Sequence, residues 1–428
     1  MEWCTMSNNQ HALKGLKVLD FTWVMAGPFA SRQLADLGAE VIKIEPTEVG
    51  SHERHYSLSI ERQGVSQSSY SVFVNRGKKS LSINLKSEKG LNIIYELAKT
   101  ADVVLSNMAP GALKNLHLGY EDLKKINPHI VYCNISCFGL TGAYANDPGF
   151  DIIAQAASGW CGQCDPVMPA PVAIGDSNAA IHATTAILAA LYYREKTGKG
   201  QEIDISMTDC LFHCHEGNPA GYLFSNRTVP PVKQTRLYAA YAPFGLLKGN
   251  DGFIAIGAIT NNLWEKLVHA MGPNYAWLLT DERTNELKKR NSYAGSPFVH
   301  KVIEEWLEAF DHLDEAEKLL RAAGVPAMVV RGFEKVCDAQ YIKDREMLVK
   351  MKQPFAGEIE TYNSPFKMSE TPGMIMGYAP LLGEHSREIL SSKLGYDDET
   401  INRLFEEGVI YREPAVDRLP EELEKLNK

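Results

Sequence analysis

The sequence lacks a long hydrophobic run, an excess of basic residues and an export signal. Its longest apolar stretch, AILAALYY, is far shorter than the ~20 residues that a membrane-spanning helix requires. The net charge of -9 argues against binding to nucleic acid through phosphates and against docking on anionic lipid. The N-terminus, MEWCTMSNNQ, has no basic region followed by an apolar stretch and a cleavage site. We therefore expect a cytoplasmic protein with reduced cysteines and with no nucleic-acid or membrane partner.

The eight cysteines lack a clear metal-binding pattern. Cys161 and Cys164 form a C-x-x-C, and CLFHCH at 210–215 adds two cysteines and two histidines, so the set could be read as a zinc site. The first pair, however, lies in a Gly-rich segment without a knuckle signature, and the second group falls on an apolar helical stretch where buried cysteines are common. We predict structural cysteines and no metal site.

The chain also lacks repeats, low-complexity tracts and linker-like runs, so its organisation is predicted from alternating elements. Strand, helix and strand are predicted in turn from LKVLDFT, PFASRQLADLG and EVIKIE, and the alternation continues to HIVYCNIS. This pattern is typical of an α/β protein with a mainly parallel sheet covered by helices on both faces. After NRTVPPVKQTR, an antiparallel pair in FGLLKGNDGFIAIG and helices at roughly 261–272 and 298–323 predict a smaller α+β domain.

The first strand–helix–strand unit does not have the glycine pattern of a dinucleotide-binding fold. Glu45 ends the second strand about where a ribose-binding acid would lie. In the turn WVMAGPFAS, however, Gly27 is followed by Pro28. The turn therefore lacks the G-x-G-x-x-G motif, whose glycines allow the backbone to approach a pyrophosphate closely. NAD is therefore not expected, although the helix N-terminus could bind a phosphate or a carboxylate.

An acidic residue, Asp176, is predicted to open a long apolar helix in PVAIGDSNAAIHATTAILAALYYREKTGKGQ. One interpretation is a helix cap, because Asp is among the best N-caps and Ser177 and Asn178 continue a normal helix start. The other is a catalytic carboxylate, because the acid sits in a tight bend before a helix rich in Ala and Thr. At such a place the helix N-terminus would hold the carboxylate ionised and offer free N–H groups to a developing oxyanion.

Several long blocks in the same order make the chain similar to the family III CoA-transferases, which include formyl-CoA, carnitine and bile-acid CoA-transferases, with α-methylacyl-CoA racemases as relatives. The blocks cover nearly the whole chain and include VLDFTWVMAGPFASRQLADLGAEVIKIE, VNRGKKSLSINLKSEKG, LSNMAPGAL, SCFGLTGAYANDPGFDIIAQAASG and APLLGEHSREIL. The resemblance implies an intertwined, interlocked homodimer. It implies a Rossmann-like large domain over 1–225, a small α+β domain over 235–330 and a segment over 335–428 that returns to the large domain.

The resemblance also implies a site. Asp176 matches the family's catalytic aspartate, which attacks a donor acyl-CoA to form a mixed anhydride, and Tyr70 matches an acceptor-site tyrosine. The CoA-binding positions of formyl-CoA transferase match Met25, Ala26, Ile83, Lys86, Asn107, Met108, Ala109, Ser136, Cys137, Phe138 and Gly139. The implied function is transfer of CoA from a donor acyl-CoA to a small carboxylic acid through an anhydride and a thioester on Asp176. Acyl-CoA is then a substrate, and no cofactor is bound permanently.

The chain departs from formyl-CoA transferase at several of these positions. Met25 replaces a glutamine, and Pro46 replaces an arginine. Another arginine aligns near Lys114 and Asn115, and the glycine-rich loop of the small domain is missing. These departures argue against oxalate or formate specificity and leave an inactive CoA-binding homologue as an alternative. The candidate contacts for the CoA phosphates are Lys43, Lys79, Lys86 and Lys114.

A second alternative is an α-methylacyl-CoA racemase. The racemases use two bases, which remove and return the proton α to the thioester carbonyl from opposite faces. One of these bases is a histidine at the position before the second aspartate of DPGFDIIAQ. Here that position is Phe150, whose ring cannot accept a proton. The sequence therefore favours the transferase.

Overall fold

The computed structural model describes residues 11–56, 58–239 and 241–427. Within these residues the chain divides into two compact units. The first comprises residues 11–158, 170–214 and 340–427, and the second comprises residues 159–169 and 215–339.

The strands and helices alternate through the first part of the chain, as the sequence predicts. The strands are β1 (Lys17–Phe21), β2 (Glu40–Glu45), β3 (Ser59–Arg62), β4 (Val65–Ser68), β5 (Lys79–Ile83), β6 (Val103–Ser106), β7 (Val131–Ser136), β8 (Gln201–Ser206), β9 (Phe244–Gly249), β10 (Gly252–Gly257), β11 (Ala327–Val329), β12 (Leu348–Gln353), β13 (Gly357–Tyr362) and β14 (Ile410–Tyr411). The first nine α-helices are α1 (Ala26–Asp36), α2 (Ser69–Asn75), α3 (Glu88–Ala98), α4 (Ala112–Asn115), α5 (Tyr120–Ile126), α6 (Asp151–Ala157), α7 (Ile174–Thr197), α8 (Met207–His213) and α9 (Asn218–Phe224). They are followed by α10 (Asn261–Met271), α11 (Leu287–Arg290), α12 (Gly295–Leu307), α13 (Leu313–Ala322), α14 (Phe333–Cys337), α15 (Gln340–Asp344), α16 (Ser386–Leu394), α17 (Asp398–Glu406) and α18 (Leu419–Asn427). Short 3₁₀ helices cover His52–His55, Cys161–Gln163, Pro273–Leu279 and Pro414–Arg418.

A seven-stranded sheet with the order β14-β5-β2-β1-β6-β7-β8 forms the centre of the first unit. Every pair in it is parallel except β14 with β5, which is antiparallel. In the central register Val18 lies opposite Val41 on one side and Val103 on the other. Runs such as KVLDF are buried along most of their length, as expected for parallel strands covered on both faces. The predicted α/β class with a mainly parallel sheet is confirmed.

The strand order creates a crevice at one edge of this sheet. From β1 the chain moves outward through β2 to β5, and it then returns to the other side of β1 with β6. The connections that leave β1 and β6 therefore diverge at the carboxyl ends of these strands. In open α/β sheets this switch in strand order is where ligands bind.

The core of the first unit contains residues from both ends of the chain. Leu81 and Ile94 pack in one buried cluster with Ile389 of α16 and Ile401 of α17. The last strand, β14, continues the same layer by pairing Ile410 with Ile83. Residues 386–411 therefore contribute to the hydrophobic core that the N-terminal strands build.

The second unit has an antiparallel sheet in the order β11-β10-β9. The predicted hairpin is present, with Gly249 opposite Gly252. The helical stretch predicted over 298–323 is two helices, because Asp251 accepts a hydrogen bond from the Leu313 N–H at 3.1 Å and fixes a new helix start there. Trp264 and Leu307 lie in a core formed by the sheet and its helices.

The second unit combines two stretches of the chain, residues 159–169 and residues 215–339. The physical reason is local pairing, because Asp165 N–H donates to the Gln234 carbonyl at 2.9 Å and Gln234 N–H donates to the Gln163 carbonyl at 2.6 Å.

Every helix in the described parts of the chain is too short or too polar to cross a bilayer.

Candidate functional site

The loops that follow β1, β5, β6 and β7 all leave the carboxyl edge of the parallel sheet. The eleven positions predicted to bind CoA lie in these loops, at the strand ends that lead into them or at the start of α1. They are Met25 and Ala26 after β1, Ile83 at the end of β5 and Lys86 after it, Asn107, Met108 and Ala109 after β6, Ser136 at the end of β7, and Cys137, Phe138 and Gly139 after it. The fold thus places four segments that are far apart in sequence along one edge of the sheet.

Several of these side chains are not available to a ligand. Met25, Ile83 and Cys137 are buried, and Ile83 packs in the core of the sheet. A Cβ added at Gly149 would lie 2.3 Å from the Cys137 Sγ, so the chain passes directly over this thiol. Only the main chain of these three residues can therefore contact CoA. The side chains of Lys86, Met108 and Ala109 are exposed.

The Asn107 side chain joins the two loops that diverge at the switch in strand order. Its Oδ1 accepts a hydrogen bond from the Trp23 N–H at 2.8 Å, and its Nδ2 donates to the Trp23 carbonyl at 2.8 Å. The Trp23 indole Nε1 donates back to the Asn107 carbonyl at 3.0 Å. Asn107 therefore positions the loop after β1, and its amide is already occupied.

A buried ion pair stabilises the loop after β1. The Lys43 Nζ lies 2.8 Å from the Glu53 Oε1, and both side chains are fully buried. The Glu53 Oε2 accepts a hydrogen bond from the Val24 N–H at 3.0 Å. Val24 has φ of +63°, which is an outlier for a β-branched residue. The ion pair thus helps to hold a strained turn at the mouth of the crevice.

These contacts correct two of the predicted phosphate ligands. Lys43 is fully buried against Glu53 and cannot reach a CoA phosphate. Lys79 begins β5 and so lies at the opposite edge of the sheet, where it pairs with Glu40 at 3.0 Å and Glu388 at 2.7 Å. The sequence shows that both residues are basic, but it does not show that each is paired with an acidic residue in the fold. Lys86 and Lys114 are exposed.

Asp176 does not cap its own helix, so that interpretation is wrong. Helix α7 begins at Ile174, and Ala173 at the N-cap position provides no side-chain hydrogen bond. The cap comes from a distant residue instead. The Asp151 Oδ1 accepts hydrogen bonds from the Gly175 N–H at 2.6 Å and the Asp176 N–H at 3.2 Å. No local sequence pattern indicates this contact, because 25 residues separate Asp151 from Asp176.

Asp176 is a weaker acid than the sequence predicted. Burial, and then the charge of Asp151, raise the pKa of the Asp176 carboxyl to about 7. The expected free N–H groups at the start of α7 are used by the Asp151 carboxylate, and a second carboxylate next to Asp176 opposes its ionisation. Asp176 is therefore protonated at higher pH than an exposed aspartate would be.

An aromatic series connects Tyr70 with the residue before Asp151. Tyr70 and Tyr56 have ring centroids 6.3 Å apart, Tyr56 and His52 6.4 Å, His52 and Trp23 4.7 Å, and Trp23 and Phe150 6.4 Å. Burial, and then the Asp176 carboxylate, raise the pKa of Tyr70 to about 12. Tyr70 thus stays protonated at neutral pH and lies within electrostatic reach of Asp176. Of this series, sequence reasoning selected only Tyr70 as a site residue.

Among the residues that the structure describes, the site contains no candidate metal centre. In the described ranges, no group of three or more His, Cys, Asp and Glu side chains is arranged to hold a metal ion. Asp151 and Asp176 are the acidic pair at the start of α7, and two carboxylates alone do not make such a group.

The raised pKa of Asp176 predicts a pH profile. A step that uses the Asp176 carboxylate as nucleophile should gain rate about tenfold per pH unit below pH ~7 and level off above it, because only the ionised form attacks. Single-turnover rates from about pH 5 to pH 9 measure this dependence. A rate that is flat across pH 5–7 would show that ionisation of Asp176 does not control the reaction.

The Asp151→Asn variant is the matched control for this profile. Asparagine can still accept the hydrogen bonds from the start of α7, but it carries no charge. The Asp176 pKa should then fall, so the rise in rate should move to lower pH while the plateau remains. Burial still raises the pKa in this variant, so the profile should not reach that of a free aspartate.

The fold, and relatives that match over most of the chain, define a CoA-transferase. The chain matches the family model "CoA-transferase family III" over residues 13–386 and belongs to that family. It is 34% identical over 415 residues to the succinyl-CoA:glutarate CoA-transferase of Mus musculus, covering 93% of this chain and 90% of the relative. It is also 34% identical over 399 residues to the succinyl-CoA:mesaconate CoA-transferase of Haloarcula marismortui, covering 91% and 98%.

A solved structure supports the same assignment. A CAIB/BAIF family protein from Brucella suis superposes with a TM-score of 0.78 at 29% sequence identity, covering 90% of this chain and 100% of that chain. The family resemblance predicted from the sequence is confirmed.

Proposed function

We propose that this CoA-transferase works through a covalent intermediate on Asp176. The observation that carries the proposal is the position of this carboxyl: partly buried, in the first turn of α7, and with a pKa of about 7 that leaves a reactive carboxylate available at neutral pH. The loops after β1, β5, β6 and β7 supply the proposed CoA contacts. Exposed Lys86 and Lys114 are the proposed partners of the CoA phosphates.

The proposed reaction has four balanced steps. The Asp176 carboxylate attacks the thioester carbonyl of the donor, and CoA leaves as its thiolate, which gives a mixed anhydride. The thiolate then attacks the Asp176 carbonyl and releases the donor acid, which leaves an aspartyl CoA thioester. An acceptor carboxylate attacks this thioester and expels the thiolate again. In the last step the thiolate attacks the acceptor carbonyl, which forms the new acyl-CoA and frees Asp176.

An aspartate suits this exchange better than a serine. One thioester replaces another, so the overall reaction is nearly balanced, and the intermediates must also remain high in energy. A serine would form an oxygen ester, which is more stable than a thioester and would trap the acyl group. The anhydride and the aspartyl thioester can both be reopened by a thiolate or a carboxylate.

Transfer assays separate the proposed function from its two alternatives. Several relatives are named for succinyl-CoA, so it is the first donor to test, with a panel of carboxylic acids as acceptors. We expect CoA transfer, and we expect no deuterium at the α carbon of a 2-methylacyl-CoA incubated in D2O without acceptor, because Phe150 cannot act as a base. Exchange at a rate comparable with transfer would identify a racemase. CoA binding without turnover by any acid would identify an inactive homologue.

We also propose that the protein is a homodimer whose subunits interlock. Helices α6, α7 and α8 pack together, yet they expose several large apolar side chains. These are Ile152, Ile153, Ile181, Tyr192, Tyr193 and Phe212, which are between 43% and 65% exposed. Apolar surface of this kind on one group of helices is typical of a subunit interface.

Sedimentation tests the dimer. We expect a species of about twice 47.5 kDa at micromolar concentration. Ile181→Glu should weaken it, because a charge would enter the proposed interface. Leu319→Glu, at an exposed residue of α13, is the matched control and should leave the mass unchanged. A fully active monomer would contradict the proposal.

A further inference from the structure

A pocket of about 510 Å³ lies beside Tyr70 in the first unit. Its walls are mostly apolar and aromatic, and they include Phe29, Phe73, Met347 and Tyr362. The pocket also contains one cation, Arg32, from the middle of α1. An apolar pocket with a few polar groups is the usual form of a small-molecule site.

The Arg32 side chain is 4% exposed, and its hydrogen-bonding capacity is largely unused. Its guanidinium carbon lies 4.4 Å from the ring centroid of Phe29 and 4.5 Å from that of Phe73. Among the described residues its one hydrogen bond runs from Nη1 to the Phe73 carbonyl at 3.2 Å, and the buried Nε has no partner. A guanidinium carries five N–H donors in a fork that matches a carboxylate.

The charges around Arg32 do not balance. Asp36 is the one carboxylate within 4.0 Å of it in the described chain, and its Oδ2 is 3.9 Å from the Arg32 Nε, beyond hydrogen-bond distance. The same Oδ2 is bound by the Arg76 Nη2 at 2.9 Å. Two buried guanidinium groups thus share one carboxylate. A buried charge without a partner is costly, so this cluster favours an incoming anion.

Tyr70 links the pocket to the proposed site. It lines the pocket, and the ring contacts through Tyr56, His52 and Trp23 connect it to Phe150, the residue before Asp151. The sequence resemblance assigned Tyr70 to the acceptor. An acid bound in this pocket would therefore extend from the Arg32 side past Tyr70 towards Asp176.

We propose that the pocket binds the acceptor as a dicarboxylic acid, with its distal carboxylate paired with Arg32 and its reacting carboxylate directed past Tyr70 to Asp176. The apolar spacer of the acid packs against Phe73 and Tyr362. This inference rests on the proposed function for the role of Asp176, but the pairing with Arg32 concerns binding alone. A monocarboxylic acid of the same length would fill the pocket and leave the guanidinium unpaired, which is how a polar site rejects an analogue.

Matched pairs of acids test this proposal. The pairs are succinate with butyrate, glutarate with pentanoate, and adipate with hexanoate, each assayed as acceptor with the same acyl-CoA donor. We expect wild-type kcat/KM to favour the dicarboxylic member of at least one pair by about 100-fold. Arg32→Met should bring this ratio close to one. Arg403→Met, which alters an exposed residue paired with Glu399, is the control and should keep the wild-type ratio.

Two further measurements keep the result decisive. If Arg32→Met does not fold, Arg32→Lys should lower the ratio by about tenfold, because lysine keeps the charge but loses the two-pronged pairing. Calorimetric titration of the preferred free acid into wild-type and variant protein tests binding without any chemistry. An equal preference for both members of every pair, or a preference that survives in Arg32→Met, would overturn the inference. A missing adduct on Asp176 with intact, Arg32-dependent binding would instead overturn the proposed function.

Discussion

Asp176→Asn is expected to lower the rate of CoA transfer by about 10⁴-fold or more. Asparagine has nearly the same shape and keeps the main-chain hydrogen bonds to Asp151, but its amide cannot form the anhydride. Steady-state rates with succinyl-CoA and the best acceptor acid measure this loss. A variant that keeps a tenth of wild-type activity would show that Asp176 is not the nucleophile.

The stability of the same variant is an internal control. In the folded protein Asp176 holds its proton up to a pKa of about 7, compared with its ordinary value of 3.8. Its ionisation therefore destabilises the folded state progressively as pH rises from about 4 to about 7, and fully above that range. Asparagine does not ionise, so Asp176→Asn should be more stable than wild type by on the order of 4 kcal/mol at pH 8, with little difference near pH 4. Urea unfolding at the two pH values gives this comparison.

Glu53→Ala is expected to produce the largest loss of stability, about 3–5 kcal/mol. The substitution leaves the Lys43 ammonium buried without its partner and removes the acceptor of the Val24 N–H. The turn after β1 then loses the contact that holds its strained backbone, so CoA binding should weaken as well. Urea unfolding measures the first effect, and titration with CoA measures the second.

The control for Glu53→Ala is Glu399→Ala. Glu399 pairs with Arg403 on an exposed face of α17, and removing an exposed i,i+4 pair should cost only about 0.3–0.5 kcal/mol. If the two variants lose similar amounts of stability, the Lys43–Glu53 pair does not support the turn. Glu53→Gln keeps an acceptor for Val24 and should bind CoA better than Glu53→Ala.

The parallel sheet could be predicted from local patterns alone. Strand segments such as KVLDF and EVIKIE are short apolar runs between helical segments, and this alternation leads to parallel pairing. The strand order itself is seen only in the structure, where Asn107 joins the loops that diverge after β1 and β6. Asp176 was selected by resemblance, since residue statistics favoured a simple helix cap.

The chemistry around Asp176 depends on contacts that no local pattern encodes. Asp151 caps α7 across 25 residues, and its charge helps to shift the Asp176 pKa. Lys43 has a basic side chain in sequence but a buried acidic partner in the fold. Arg32 lies in an ordinary helical segment, and only the fold shows that it shares the single carboxylate of Asp36 with Arg76. Charge in a sequence does not show which charges are already paired.

The most direct test of the central claim is to trap the covalent intermediate. Wild-type protein is incubated with acyl-CoA, quenched with hydroxylamine and analysed by peptide mass spectrometry, with Asp176→Asn treated in parallel. The account predicts a hydroxamate, or without quenching a CoA or acyl adduct, on Asp176 of the wild type and none on the variant. An adduct on another residue, or CoA transfer without any adduct on Asp176, would contradict it.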